Sequence, residues 1–427
     1  MQVTVGQSEV HGKVMAPPSK SYTHRAIAIG ALSDRSVIHR PLLSADTKAT
    51  IRACEMFGAS IDIEDDDLII EGVNGSPVVP ENVIDVANSG TTLRFMTAIA
   101  ALTDGVTILT GDDSIRARPN GPLIDVLRDL SVDVYSTRGN GCAPIVIRGG
   151  MKGAIVKIDG SISSQFISAL LIACPLITGS TTLSIKGVLK SKPYVDVTME
   201  VVSAAGVDIF VDSTNNMKFM IPAKQRYDLD DYMVPGDFSS ASYLLAAAAV
   251  TGSKVTVQNL FPSKQGDVII LDVLRRMGAS VDWDEGTGEV TVRGNELHGI
   301  TFDAGATPDL VPTIAVLGAV ADGVTVIENA EHVRYKETDR LHAMATELGK
   351  MGIDVREDTD RLTITGGNPA GADLHGWHDH RIVMALTIAG LVAGGTTIDT
   401  AEAIFISYPN FFDNMRSIGA DVIVSGE

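Results

Sequence analysis

The sequence predicts an α/β fold made from six copies of one supersecondary unit. Two patterns alternate along the 427 residues: a helix rich in Ala and Leu that precedes a turn and a strand, and an amphipathic helix that precedes two alternating strands. One copy therefore consists of strand, buried helix, strand, amphipathic helix, strand, strand. Such a copy is too long for a solenoid repeat, so a closed arrangement of several copies is expected.

The first pattern predicts buried helices, because its segments are apolar on nearly every face. Chance similarity among α/β patterns is the alternative, but six ordered recurrences of both patterns argue against it. The six segments are THRAIAIGALSDRSVI, GTTLRFMTAIAALTDGVTIL, SSQFISALLIACPLITGSTTLSI, SSASYLLAAAAVTGSKVTV, PDLVPTIAVLGAVADGVTV and DHRIVMALTIAGLVAGGTTI.

The second pattern predicts a helix that stops at a left-handed residue and is followed by two strands paired through a polar turn. Its copies begin at Phe57, Leu130, Ala205, Met277, Met351 and Ile418. Glycine tolerates the left-handed conformation and occupies the stop in five copies, whereas the second copy has Ser131 there. The five glycines are Gly58, Gly206, Gly278, Gly352 and Gly419.

Composition excludes several classes of protein. There are 53 acidic and 34 Lys or Arg residues, a formal charge of -19, which argues against nucleic acid or an anionic membrane as the main partner. Three cysteines without CxxC spacing indicate core residues rather than a disulfide framework or a zinc site. The start MQVTVGQSEV lacks signal-peptide features, so we expect a cytoplasmic enzyme, and we expect a monomer.

Polar residues gather at two points of each copy. The starts of the buried helices carry Ser, Thr, Gly, Asp, Lys and Arg, and helix amino termini bind anions through unpaired N–H groups. The loops before the second helices are basic in several copies, although the whole chain is acidic. We therefore expect a cleft that clamps small phosphorylated anions. The helix starts are residues 17–25, 87–94, 160–166, 235–242, 307–310 and 378–381, and the loops are 44–48, 112–122, 190–194, 262–267, 333–340 and 406–410.

Each of these residues has a plainer interpretation. A single Ser or Thr at a helix start is more often an N-cap than a ligand, and a single Lys or Arg is usually solvated. The chain has no Walker A loop, no GxGxxG and no HExxH, so no nucleotide cofactor is indicated. His378 and His380 flank Asp379 without a third nearby ligand, so no metal site is expected.

Eight segments, in order from about Ala16 to about Asp413, resemble the 5-enolpyruvylshikimate-3-phosphate (EPSP) synthase family. They are PPSKSYTHR, NSGTTLR, RARPNGPLIDVL, GSISSQF, KSKPYVDVT, PGDFSSASYLLAAA, RYKETDRLHAMATELGKMG and DHRIVMA. The resemblance implies two domains, each of three βαβαββ units around a pseudo-threefold axis. One domain would span 18–234, mainly on the shikimate 3-phosphate side, and the other would combine 1–17 with 235–427.

The resemblance also implies the reaction and its residues. The enolpyruvyl group of phosphoenolpyruvate passes to the 5-hydroxyl of shikimate 3-phosphate, and phosphate leaves through a tetrahedral addition intermediate, a step of the shikimate pathway to aromatic amino acids. Domain closure around the substrates is expected. The implied ligands of shikimate 3-phosphate are Lys20, Ser21, Arg25, Ser163, Ser164, Gln165, Ser191, Tyr194, Asp309 and Lys336, and those of phosphoenolpyruvate are Lys20, Gly90, Arg118, Gln165, Arg340 and Arg381.

Three residues receive catalytic roles by the same resemblance. Asp309 takes the proton of the attacking hydroxyl, Glu337 protonates the methylene carbon, and Lys20 assists at the bridging oxygen and the leaving phosphate. Alternatively, Glu337 and Arg340 form a simple pair three residues apart on a helix, and Asp309 caps the helix after Pro308. On the catalytic interpretation, Asp309→Asn or Glu337→Gln lowers turnover by orders of magnitude with little loss of folding stability.

Three positions depart from many members of the family. Ile406 stands where a Lys contacts phosphoenolpyruvate, His332 replaces an Asn, and Phe95 follows Arg94 where Pro is frequent. These departures affect expected binding strength and inhibitor response rather than reaction class.

Two other functions stay open at this point. One is enolpyruvyl transfer to UDP-N-acetylglucosamine, which is disfavoured because Ser21 follows Lys20 and no Cys lies between Asp112 and Arg116. The other is a non-catalytic anion-binding relative, which would be expected to have lost Asp309 or Glu337.

Overall fold

The computed structural model describes residues 1–212 and 217–426. The chain divides into two compact units, an inserted unit of residues 18–234 and a discontinuous unit of residues 1–17 and 235–427. Each unit has its own hydrophobic core. Over the described ranges the strands form six four-stranded sheets, three in each unit.

The inserted unit contains three βαβαββ copies. Copy one comprises β14 (Asp231–Met233), α1 (Lys20–Leu32), β3 (Arg35–His39), α2 (Ala45–Met56), β4 (Ser60–Glu64) and β5 (Asp67–Glu71). Copy two comprises β6 (Ile84–Asp85), α3 (Gly90–Ala100), β7 (Val106–Thr110), α4 (Gly121–Asp129), β8 (Asp133–Ser136) and β9 (Ile145–Arg148). Copy three comprises β10 (Ile155–Asp159), α5 (Ser164–Ala173), β11 (Thr181–Lys186), α6 (Lys192–Ala204), β12 (Phe210–Asp212) and β13 (Lys218–Ile221).

The discontinuous unit contains the other three copies. Copy four comprises β2 (His11–Met15), α7 (Phe238–Val250), β15 (Lys254–Gln258), α8 (Ile270–Arg276), β16 (Ser280–Asp284) and β17 (Glu289–Arg293). Copy five comprises β18 (Thr301–Asp303), α9 (Val311–Val320), β19 (Val324–Glu328), α10 (Arg340–Lys350), β20 (Asp354–Asp358) and β21 (Arg361–Thr365). Copy six comprises β22 (Asp373–Leu374), α11 (His380–Ala393), β23 (Thr396–Ile398), α12 (Phe411–Ser417), β24 (Val422–Ser425) and β1 (Gln2–Val5).

Every sheet has the same strand order within its copy: first, second, fourth, third. The first two strands are parallel, as in β10 with β11, because the buried helix α5 connects them across the sheet. The fourth strand is antiparallel to both of its neighbours, as β17 is to β15 and β16. This shared topology confirms the repeat that the sequence predicts.

Three copies are completed by strands distant in sequence. In copy four this strand is β2, which pairs with β15. β14, at the end of the inserted unit, pairs with β3 and supplies the first strand of copy one. β1, at the amino terminus, pairs with β23 and β24 and supplies the last strand of copy six. The expectation of a local hairpin after Ile418 is therefore wrong. The polar turn expected in copy three, at residues 213–216, lies outside the described residues.

The Ala- and Leu-rich helices are buried, as predicted. In α7 only Val250 is not fully buried, and α7, α9 and α11 contact one another in the centre of the discontinuous unit. The helix stops are left-handed at all five predicted glycines, with φ from 75° at Gly206 to 110° at Gly278. Ser131 also adopts φ 69°, so copy two keeps the conformation without glycine. Within the described part of the chain no helix is both long and apolar enough to cross a membrane.

Candidate active site

The discontinuous unit gathers carboxylates around Arg340, the first residue of α10. The Arg340 side chain is 1% exposed. Its Nε and Nη2 donate to Asp379 Oδ2 and Oδ1 at 2.8 and 3.3 Å, Nη1 donates to Asp309 Oδ1 at 2.9 Å, and Nη2 donates to Glu337 Oε2 at 2.6 Å. Burial acts to lower the pKa of Arg340, but the three carboxylates outweigh it and raise the pKa. The guanidinium is therefore a fixed positive charge.

Asp309 bridges two arginines. It lies in the short 3-10 turn Pro308–Leu310 before α9, and its Oδ2 accepts from Arg381 Nη2 at 3.0 Å while Oδ1 accepts from Arg340. Thr307 and Leu310 occupy the cap positions of the turn and of α9, so the alternative in which Asp309 caps the helix is wrong. Glu337 does pair with Arg340, but it precedes α10 rather than lying on it.

Lys336 adds a third cation to this cluster. Its Nζ lies 4.0 Å from Asp309 Oδ1. Desolvation lowers the pKa of Lys336; Asp309 opposes this shift and Arg340 adds to it. Three cations, Lys336, Arg340 and Arg381, thus face three anions, Asp309, Glu337 and Asp379. The cluster is close to electrically neutral until an anionic substrate joins it.

A further buried acid, Asp267, belongs to the same cluster. It lies in the segment 262–267 before α8, is 3% exposed, and accepts a hydrogen bond from the Ser239 hydroxyl. Burial, and next the Asp309 carboxylate, raise the pKa of Asp267 to about 7. Sequence reasoning missed this residue, because an Asp at the start of an amphipathic helix is typical of an exposed first turn.

Asp379 fixes the start of α11. It is fully buried, and its side chain accepts from the backbone N–H of Arg381 at 2.8 Å while it also binds Arg340. This double role explains the HDHR sequence without a metal: His380 is buried and His378 is exposed. In the described residues no group of His, Cys, Asp or Glu has an arrangement that could hold a metal ion.

The inserted unit presents Lys20 at the start of α1. Its Nζ donates to Asp46 Oδ2 at 3.1 Å, and its side chain is 14% exposed. Asp46 lies in the first turn of α2, a helix whose start is fixed by a reciprocal Ser44 and Thr47 capping box. A local capping motif in the loop 44–48 therefore positions the carboxylate that holds Lys20.

Arg25 lies one turn and a half into α1 and is 2% exposed. Its guanidinium donates to the Ser21 and Tyr194 carbonyls, both at 2.8 Å, and to Thr198 Oγ1 at 2.7 Å and Ser168 Oγ at 3.3 Å. These four bonds occupy most of its five N–H groups. Desolvation lowers the pKa of Arg25 to about 10.

Two arginines flank Gly90, the first residue of α3. A Cβ at Gly90 would stand 2.8 Å from Arg118 Nη1 and closer still to Arg94 Nη1, so a side chain there would displace both guanidinium groups. Arg94 and Arg118 are 5% and 8% exposed. Arg94 lies over the Phe166 ring at 5.8 Å, which orients its planar guanidinium. The amino terminus of α3 and two guanidinium groups thus place N–H donors and positive charge side by side.

The starts of α5 and α6 supply hydroxyl and amide groups. Ser163 caps α5 by accepting from Gln165 N–H at 3.3 Å, which leaves its own O–H proton to donate. Gln165 Nε2 donates to Thr91 Oγ1 at 3.0 Å and so links the starts of α5 and α3. Ser191 has φ 55° at the cap position of α6 without a side-chain cap bond. A left-handed non-glycine residue is strained, and such strain concentrates at functional positions.

Comparison with known proteins decides the family. The family model for EPSP synthase (3-phosphoshikimate 1-carboxyvinyltransferase) matches residues 4–415. The chain belongs to the EPSP synthase family. A 3-phosphoshikimate 1-carboxyvinyltransferase from Methanococcoides burtonii is 69% identical over 425 residues, covering 100% of both chains, and one from Methanosarcina mazei is 66% identical over 424 residues, covering 99% of both.

Solved structures agree with this assignment. An EPSP synthase from Acinetobacter baumannii superposes with a TM-score of 0.83 at 28% identity, covering 100% of both chains. The enolpyruvyl transferase NikO from Streptomyces tendae gives a TM-score of 0.78 at 20% identity, covering 99% of this chain and 98% of that one, which shows the shared fold alone. The enolpyruvyl transferase-like α/β fold inferred from sequence is thereby confirmed.

The arginines at the helix starts and loops of this EPSP synthase family member are buried rather than solvated. Arg25, Arg94, Arg118, Arg340 and Arg381 are all buried, so the solvated-face alternative is wrong for them. The cysteines, Cys54, Cys142 and Cys174, are free and buried, as predicted for core residues.

The structure shows the surroundings of all three positions that depart from the family pattern. Phe95 is fully buried with the Arg25 guanidinium 5.4 Å from its ring centroid, so an aromatic residue there supports Arg25. Ile406 ends a 3-10 turn and packs against the core of the discontinuous unit. His332 is buried in the turn Glu331–Tyr335.

Proposed function

We propose that this chain transfers the enolpyruvyl group of phosphoenolpyruvate to the 5-hydroxyl of shikimate 3-phosphate and releases phosphate. The observation that carries the proposal is the buried cluster in which Asp309 bridges Arg340 and Arg381 beside Glu337. It combines two fixed cations with two carboxylates that can exchange protons. Addition across a carbon–carbon double bond needs this combination, because a hydroxyl must lose a proton while a methylene carbon gains one.

Anion binding is assigned to the arginines. The phosphoenolpyruvate carboxylate and phosphate suit the planar forks of Arg340 and Arg381, and of Arg118 with the Gly90 N–H at the start of α3. In this structure Asp309 holds N–H groups of both Arg340 and Arg381. A substrate anion that takes over these donors releases an Asp309 oxygen, and that oxygen then accepts the proton of the 5-hydroxyl.

The reaction then proceeds in two balanced steps. The 5-oxygen adds to carbon 2 of phosphoenolpyruvate while Glu337 gives a proton to the methylene carbon, which yields the tetrahedral intermediate. Glu337, now a carboxylate, next takes a proton back from the methyl group as the bond from carbon 2 to the phosphate oxygen breaks. Phosphate leaves with Lys20 at that oxygen, and the proton that Asp309 took from the 5-hydroxyl leaves with it. A substrate dianion beside Glu337 favours the protonated carboxyl, since the cluster is near neutrality before the anion arrives.

Shikimate 3-phosphate is assigned mainly to the inserted unit. The hydroxyls of Ser163, Ser164 and Ser191 and the amide of Gln165 supply donors at the starts of α5 and α6. Arg25 contributes chiefly by holding the carbonyls of Ser21 and Tyr194, because four of its hydrogen bonds go to protein oxygens. In the discontinuous unit, Asp309 and Lys336 complete the assigned set.

Phosphate release with both substrates present tests the proposal. We expect turnover only when shikimate 3-phosphate and phosphoenolpyruvate are supplied together, unchanged by a metal chelator, since the proposal includes no metal and no nucleotide cofactor. Turnover with UDP-N-acetylglucosamine would transfer the assignment to the sister reaction. No turnover with either acceptor would leave a non-catalytic anion-binding protein.

A monomeric state and a cytoplasmic location belong to the same proposal. The formal charge of -19 supports the first, because like net charge opposes association. Sedimentation at assay concentration measures it directly, and a dimer under those conditions would contradict it.

A further inference from the structure

A buried carboxylate lies on α10 two helical turns beyond Arg340. The Glu347 side chain is 0% exposed and accepts three hydrogen bonds. Its Oε1 accepts from Trp377 Nε1 at 2.9 Å, and its Oε2 accepts from the His375 backbone N–H at 3.0 Å and from Lys350 Nζ at 2.8 Å. A buried anion satisfied in this way fixes its donors, because releasing any of them leaves charge uncompensated.

The turn held by Glu347 is strained. Trp377 and His378 are consecutive residues with φ of 56° and 51°. Each non-glycine residue in the left-handed region costs roughly 1–2 kcal/mol, so a pair persists only when its surroundings determine it. Asp399 provides a second restraint, since it accepts from the Gly376 N–H at 2.9 Å and from His375 Nδ1 at 2.7 Å.

This strained turn leads directly into the start of α11. The next residue, Asp379, binds Arg340 through both carboxylate oxygens and fixes the Arg381 N–H. Arg340 and Glu347 are seven residues apart and so lie on the same face of α10. α10 therefore holds one loop at two points, at Asp379 through Arg340 and at Trp377 through Glu347.

We propose that Glu347 is a positioning residue for phosphoenolpyruvate binding, acting through Trp377 to hold the turn that places Asp379 and Arg381. The inference rests on the proposed function for the identity of the ligand. Without Glu347 the turn relaxes toward negative φ, Asp379 withdraws from Arg340, and both arginines lose their shared orientation. The effect is specific to the anion that those arginines bind.

The two tryptophans of the chain, Trp283 and Trp377, make the test direct. Trp283→Phe leaves Trp377 as a single reporter whose indole N–H contacts Glu347. In that background phosphoenolpyruvate is titrated against Trp377 fluorescence, which needs no turnover, and steady-state kinetics are measured in parallel. If the parent protein were inactive, the proposed function would be wrong. The fluorescence titration would still measure how Glu347 affects phosphoenolpyruvate binding.

We expect Glu347→Ala to raise the phosphoenolpyruvate KM and dissociation constant about tenfold, with kcat changed less and the shikimate 3-phosphate KM nearly constant. Glu347→Gln keeps an acceptor for the indole and should recover part of the loss. Trp377→Phe keeps an aromatic ring without the indole donor, and because it removes the fluorescent reporter its effect is measured as the phosphoenolpyruvate KM. That KM should rise less than in Glu347→Ala, and the double variant should show no further rise. If Glu347→Ala fails to fold, the phosphoenolpyruvate KM of Trp377→Phe still tests whether the bond between Glu347 and Trp377 supports binding.

Glu289→Gln is the control, because it removes another carboxylate of the discontinuous unit, one that accepts from Lys13 and Gln258 in the sheet of copy four rather than from the turn. Unchanged phosphoenolpyruvate binding in a folded Glu347→Ala, or an equal rise in both KM values, would overturn the proposal and leave Glu347 a structural residue only.

Discussion

Asp309→Asn tests the centre of the proposed mechanism with the smallest change in shape. The substitution removes the acceptor for the 5-hydroxyl proton. General base catalysis contributes on the order of 10² to 10⁴ in rate, so we expect kcat to fall by at least a hundredfold, about 2.7 kcal/mol of transition-state stabilisation. Phosphate release at saturating concentrations of both substrates measures this loss.

Folding stability should fall as well, which differs from the expectation drawn from sequence. Asp309 accepts charge-assisted hydrogen bonds from Arg340 at 2.9 Å and Arg381 at 3.0 Å, and each such bond contributes about 1.5–3 kcal/mol. Asparagine retains one acceptor but turns an amide donor toward a guanidinium. Because Arg340 keeps Glu337 and Asp379, we expect a net loss of roughly 2–3 kcal/mol, seen in thermal unfolding.

Asp303→Asn is the matched control for Asp309→Asn. Asp303 lies six residues earlier, is exposed, and accepts only from neutral donors, Gly305 N–H at 2.8 Å and Asn329 Nδ2 at 3.1 Å. It should change neither turnover nor stability by much. The reasoning is refuted if Asp309→Asn keeps more than a tenth of the parent turnover while remaining folded.

Three further substitutions test single residues. The pKa of Asp267 is about 7 in the folded protein against an ordinary 3.8, so the native state retains a proton that the unfolded chain loses, and the stability contributed by this group falls as pH rises between those values. The free energy of unfolding of Asp267→Asn should therefore exceed that of the parent by an amount that grows from pH 4 to pH 7, on the order of 2–4 kcal/mol at pH 7. Denaturant unfolding measures this difference, and a difference that does not change with pH would contradict the assignment. Ser131→Gly should raise the free energy of unfolding by about 0.5–1 kcal/mol at unchanged turnover, because φ is 69° there. Gly352→Ala, at φ 84° with nothing within 4 Å of the added Cβ, should lower the free energy of unfolding by about 1–2 kcal/mol. If either substitution left the free energy of unfolding unchanged, the strain argument would be refuted.

The repeat could be predicted from sequence because the spacing of apolar residues is a local pattern. The buried helices and the left-handed stops at positions such as Gly278 follow from apolar pattern and backbone sterics, which depend on neighbouring residues only. The pairing of β1 with β24 could not be found in this way, since these two neighbouring strands lie more than 400 residues apart in sequence. A strand carries no local mark of a distant partner.

The sequence before α10 contains a helix-start signal that could have placed Glu337 correctly. Asp339 caps this helix by accepting from the His342 N–H at 3.1 Å, and an Asp before a periodic segment is a standard helix start. Applying that rule to KETDRL would have placed Glu337 ahead of the helix. Glu347 offered no such signal, because a Glu in an amphipathic helix is usually exposed and only the fold shows that it is buried against the turn before α11.

The choice of cap residue shows how a chain of formal charge -19 can hold anions. In the inserted unit the caps of α3 and α5 are Ser89 and Ser163, which satisfy a helix end without adding negative charge near Arg94 or Arg118. In the discontinuous unit the caps of α7 and α11 are Asp237 and Asp379. Neutral caps leave the positive potential of a helix start available to an external phosphate. Of the two acidic caps, Asp379 also holds Arg340, whereas Asp237 accepts from Ser239 and Ser240. The same position of the repeat therefore carries a neutral cap beside Arg94 and Arg118 and, in copy six, an acidic cap that belongs to the Arg340 cluster, although the copies share a single topology.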